Sequence, residues 1–142
     1  MNTRKIDAYK EQAIQSMTSE ELMFLLFDEL VKRLMRAELA LEKKDFPIFE
    51  ASVQRGIEII QYLDATLDRQ YPISKDLARL YEYFIYELGR VKIGRHLEPL
   101  SHVKTMIVDL RGAFRQAQEN VNNGILEVVQ ETVNSKISET DQ

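Results

Sequence analysis

The residues able to do chemistry in this 142-residue sequence are few. His96 and His102 are the only histidines, six positions apart. The sequence offers no Glu-x-x-His pair of the kind through which a helical bundle gathers carboxylates and imidazoles around a metal. Both histidines read as solvated residues of a connection, and no metal site is expected. Cysteine is absent, which removes disulfides, thiolate nucleophiles and cysteine zinc sites together. The carboxylate pairs Glu20-Glu21 and Asp28-Glu29 invite a general-acid reading, but Glu20 and Glu21 suit the positive end of a helix, and Asp28 falls on a polar flank. Glycines at 56, 89, 94, 112 and 124 are isolated, so none builds a phosphate loop, and neither G-x-S-x-G nor H-E-x-x-H occurs. No catalytic residue and no cofactor are expected; the chain reads as a non-enzyme.

The elements around those residues are helical. Five glycines and three prolines in a chain rich in Leu, Glu, Ala, Lys and Arg favour helix, and no alternating apolar run bounded by turn dipeptides suggests a strand. A formal net charge of -4, with the signs interleaved, lacks the basic stripe that nucleic acid requires. Residues 1–16 carry Arg4, Lys5, Asp7, Lys10 and Glu11 and hold no apolar core long enough for a signal peptide or a membrane span. A cytoplasmic location without membrane insertion is expected.

Residues 1–17 form an expected arm, with Ile6, Tyr9, Ala13, Ile14 and Met17 at spacings of three and four, too short to be stable without docking. Thr18 and Glu21 then make a capping box that opens a helix from about Ser19 to Lys43. Six unbroken apolar residues, Leu22 to Phe27, are followed by Leu30, Val31, Leu34, Met35, Ala37 and Leu41. They cover an arc of roughly 220°, about twice what one core face needs. Leu22, Leu26 and Leu30 are assigned to the core. Phe24, Phe27, Val31 and Met35 are assigned to a second, outward face.

Asp45 caps the next helix, with Pro47 in its first turn, and the stripe Phe49, Val53, Ile57, Ile60, Leu63 and Leu67 runs until Tyr71-Pro72 stops it. Ser74 is read as the cap of a third helix, whose core face is Leu77, Leu80, Tyr81, Phe84, Leu88 and Val91 and whose outward side carries Tyr83 and Tyr86. Pro99 opens a fourth, with Leu100, Val103, Ile107, Leu110, Phe114, Ala117 and Val121 as an uninterrupted seam. Asn122-Asn123-Gly124 is expected to break it, leaving Ile125, Val128, Val129, Val133 and Ile137 in a weakly helical tail. The prediction is all-α: an antiparallel up-down four-helix bundle over 18–122, with an arm at 1–17 and a tail at 123–142.

The apolar excess calls for an occupant. A groove accepting an amphipathic helix accounts for it, with Met23, Met35 and Met106 able to adapt to a partner. The alternatives are that the terminal segments cover this surface, or that two copies pair through the first long helix as a structural or adaptor homodimer.

Several stretches in order resemble the FliS family of flagellin-specific export chaperones: Ala8-Tyr9-Lys10, the capped Glu21-Leu22, Leu26-Phe27-Asp28, Ile59-Ile60 to Leu67-Asp68, Ile73-Ser74 to Leu77, Leu80-Tyr81-Glu82-Tyr83 and Leu110-Arg111-Gly112-Ala113-Phe114. The sequence departs from the family pattern where Glu29 replaces a common glycine, Phe114 a tryptophan and Val91-Lys92 an Ala-Asn, and it lacks the usual proline after the cap. The resemblance implies a cytoplasmic bundle that binds the C-terminal segment of flagellin, prevents its premature polymerisation and delivers it to the flagellar export apparatus. It places Tyr9 in an arm that covers part of the groove, and Leu26-Phe27 and Tyr81 to Tyr83 near or under that groove. Reading and resemblance together nominate Ile6, Tyr9, Phe24, Phe27, Val31, Tyr83 and Tyr86 as partner-binding residues.

Overall fold

The computed structural model describes residues 2–140, with side-chain environments for 4–124 and 130–135. Among the described residues the five elements are all helices: α1 (Asn2–Gln15), α2 (Ser19–Glu42), α3 (Phe46–Ala65), α4 (Ile73–Gly94) and α5 (Leu97–Thr140). The chain divides into two units, residues 1–107 and 108–142.

In the first unit the helix boundaries follow local hydrogen bonding. Thr18 is extended (φ -69, ψ 163) and its hydroxyl accepts from the Glu21 amide at 3.1 Å, which starts α2. Lys44, at φ 60, ends it: the Lys44 amide donates to Leu41 O and the Asp45 amide to Ala40 O, the paired bonds of a Schellman closure. The Asp45 carboxylate then accepts from the Ile48 amide at 3.3 Å and opens α3. α3 ends at Ala65, short of the Tyr71-Pro72 boundary expected from the sequence, because the Thr66 hydroxyl turns back onto Tyr62 O and Leu63 O. Ser74 does not cap α4. Pro72 holds the N-cap position without a side-chain bond, and Ser74 is buried one residue inside the helix.

The core of this unit is built from Phe27, Leu30, Leu34, Phe49, Val53, Ile60, Phe84, Leu88, Leu100, Val103 and Ile107, none more than 1% exposed. α3 packs against both α2 and α4. Gly56 brings α3 close to α2: a Cβ there would stand 3.2 Å from Leu34 Cδ2. Polar contacts between helix ends fix neighbours. Lys92 donates to Gln54 at 2.9 Å, and Arg95, left-handed at φ 55, lays its guanidinium 3.9 Å from the Phe46 ring, so the end of α4 lies beside the start of α3. Glu38 of α2 accepts from both Ser101 and Lys104 of α5.

Two expectations about α2 are corrected. Phe27 is fully buried and Val31 is 9% exposed, so both belong to the core rather than to an outward face. Leu22 and Leu26, assigned to the core, are only half-buried. The inward arc of α2 is rotated by a fraction of a turn from the Leu22-Leu26-Leu30 line. The cause is that a stripe as broad as 220° does not specify its own centre.

Residues 108–140 continue α5 without a break at Asn122-Asn123-Gly124, contrary to the sequence reading. Asn and Gly each cost about 1 kcal/mol or less in a helix interior, too little to stop one already propagating. Leu110 and Phe114 are half-buried, whereas Ala117 and Val121 are exposed. A regular seam says which residues share a face. Burying that face takes a second surface.

Candidate protein-docking surface

α1 carries its apolar residues in the open. Ile6, Tyr9 and Ile14 are 52%, 76% and 44% exposed, and every described side chain from Arg4 to Ser16 is exposed. Ile6 and Tyr9, three apart, share one face of the helix. The helix closes on backbone bonds from Ser16 to Gln12 O and from Met17 to Ile14 O, with the Ser16 hydroxyl donating to Ala13 O.

α4 separates its residues more sharply. Tyr81, Phe84, Leu88 and Val91 are buried, while Tyr83 and Tyr86 face outward. The Tyr83 ring tilts 56° to Phe84 with centroids 6.0 Å apart, so its inner edge touches the core and its outer edge meets solvent. Arg90 lies one turn beyond Tyr86 with its guanidinium 5.8 Å from that ring and 3.5 Å from Glu87. Tyrosine and arginine on an exposed helix face are the side chains that interfaces favour, since they offer large rigid area and a polar edge. Beyond them Ile93 is almost fully exposed, and a cleft of about 340 Å³ opens beside it, walled by Glu87, Arg90, His96 and Pro99. His96 lies against Gly94, where a Cβ would come within 2.8 Å of the imidazole.

On α2 the nominated residues part company. Phe27 and Val31 are core, Phe24 is half-buried, and the outward apolar positions are Leu25, Met35 and Leu39. Of these only Met35 was read as outward from the sequence. Leu39 and Ile93 were missed, although each stands at helical spacing from an outward residue, Leu39 four positions after Met35 and Ile93 seven after Tyr86.

Among the described residues, no cluster of three His, Cys, Asp or Glu side chains is placed to hold a metal, and no helix is long and apolar enough to cross a membrane. Among the described residues one group is strongly perturbed: the Tyr81 phenol is pushed from the usual 10.0 up to about 12, first by burial and then by the nearby Asp64 carboxylate. Asp64 Oδ1 is buried without a hydrogen bond among the described residues, with Arg69 Nη2 at 3.7 Å. A phenol held neutral by burial packs the core.

The exposed sets therefore stand on three helices: Ile6 and Tyr9 on α1, Leu25 with Met35 and Leu39 on α2, and Tyr83 and Tyr86 on α4, with Phe24 half-buried. Comparison with known proteins gives the surface a context. The family model described as "Flagellar protein FliS" matches residues 1–121. The flagellar secretion chaperone FliS of Bacillus subtilis (strain 168) is 27% identical over 110 residues, covering 78% of this chain and 83% of the relative. The protein of the same name from Salmonella typhimurium is 28% identical over 109 residues, covering 75% and 81%. The one from Escherichia coli (strain K12) is 23% identical over 110 residues, again covering 75% and 81%. These relatives are named as secretion chaperones, not enzymes. With more than four fifths of its length matched, the chain belongs to the FliS family of flagellar proteins.

Proposed function

We propose that this chain is a cytoplasmic flagellar export chaperone that binds the C-terminal segment of flagellin, keeps it from polymerising before export, and delivers it to the flagellar export apparatus. The family match over residues 1–121 carries the reading. The distribution of apolar side chains supports it: a non-enzymatic protein that sequesters an amphipathic segment needs exposed apolar rows rimmed by charge, which α1 and α4 present. Residues 1–17 act as the arm, 18–122 as the bundle, and 123–142 as a tail carried on α5. Ile6, Tyr9, Phe24, Tyr83 and Tyr86 contact the client, while Phe27 and Val31 support that surface from the core side.

Calorimetric titration with a synthetic flagellin C-terminal peptide tests this. A saturable one-to-one complex is expected at micromolar concentration. Absence of heat and of complex at roughly tens of micromolar rules the reading out.

A further inference from the structure

A second surface lies between α2 and α3 and takes no part in the client reading. It is a groove of about 300 Å³ lined by Arg33 and Arg36 from α2 and by Ile48, Ala51 and Ser52 from α3. Arg33 is engaged by Glu29 at 3.0 Å. Arg36 is exposed, and among the described residues no carboxylate stands within ion-pair distance of it. Lys32, four positions before Arg36 on α2, and Lys43, which caps the end of α2, are exposed, and Ile48, 47% exposed, adds apolar surface to the lining. The groove is thus cationic at its rim, with Ile48 and Ala51 as its apolar part.

The matching chemistry is present in the same chain. Residues 119–142 contain five carboxylates, Glu119, Glu127, Glu131, Glu139 and Asp141, against the single base Lys136. That is a net charge of -4, equal to the formal charge of the entire sequence, so residues 1–118 balance to zero and the whole excess lies in this stretch. Apolar residues recur through it at mostly four-residue steps, and Val121 and Val133, 61% and 49% exposed, are part of that row. The family match stops at residue 121, before most of it.

We propose that the α2–α3 groove receives the acidic C-terminal stretch, residues 119–142, of a second copy of this chain. Opposite charge across the contact sets orientation and partner choice, and the apolar row supplies the buried area. Because every copy carries one groove and one acidic stretch, reciprocal exchange closes a two-fold dimer with both grooves filled.

Sedimentation equilibrium of the full chain, from about 1 to about 200 µM at low ionic strength, tests the proposal. The mass is expected to rise from monomer towards dimer. Arg36→Glu, an exposed position that leaves the core intact, weakens the association about tenfold or more, as does the pair Glu127→Lys and Glu131→Lys; combining all three in one chain restores it. A labelled synthetic peptide of residues 119–142 converts dimer to monomer. A chain that stays monomeric throughout, or a dimer indifferent to Arg36→Glu and to the peptide, overturns the proposal. Flagellin-peptide titration of Arg36→Glu keeps the two readings apart, since client binding is expected to survive in it.

Discussion

Three tyrosines within six residues of α4 divide between its two faces. Tyr81 is 2% exposed, and burial holds its phenol neutral far into alkaline solution; Tyr83 and Tyr86 are 39% and 63% exposed, one leaning on Phe84 and the other under Arg90. The residue type is the same, and only the angle around the helix differs. The inner face invests its area in folding, where each aromatic is worth several kcal/mol. The outer face leaves comparable area in water, where it contributes little to stability and is available to a partner.

Emptying the inner face produces the largest effect. Phe84→Ala removes a fully buried ring and is expected to cost about 3–5 kcal/mol, a large share of the stability of a domain this size, read as a lowered urea midpoint by circular dichroism. Next in size is the pH response of Tyr81. Below about pH 10 both folded and unfolded chains keep the phenolic proton. Between about 10 and about 12 the unfolded chain releases it while the folded one does not, so stability falls with rising pH, by up to about 2–3 kcal/mol. Tyr81→Phe flattens that limb of the urea-midpoint profile; an unchanged limb assigns it to another group. The smallest effect belongs to the outer face. Tyr86→Ala loses an exposed ring and its contact with Arg90 and is expected to change stability by less than about 1 kcal/mol in the same assay. A larger loss would make Tyr86 part of the fold.

The same contrast explains what was legible in the sequence. Thr18 and Asp45 were readable because a cap is a local bargain between one side chain and a few amides. The inner and outer faces of α4 were readable because a narrow stripe has a definite centre. α2 was not: with apolar residues around more than half its circumference, the packing of its neighbours decides that Phe27 and Val31 turn inward while Leu22 and Leu26 stay half-exposed. Ser74 looked like a cap and is buried instead, since the chain reaches α4 through Pro72 already in helical geometry. The passage of α5 through Asn122-Asn123-Gly124 was hidden for a related reason: weak breakers end a helix only when its neighbours also favour ending it. The all-α class and the family resemblance stood in the sequence. Which side chains remain available to a partner depended on the packing.

The most direct test of that availability is a paired calorimetric titration of a flagellin C-terminal peptide into the native chain and into Tyr9→Ala/Tyr86→Ala, with thermal melts of both. The account predicts roughly tenfold to hundredfold weaker binding by the variant, with the melting temperature nearly unchanged. Equal affinity in the two proteins, at equal stability, would contradict it.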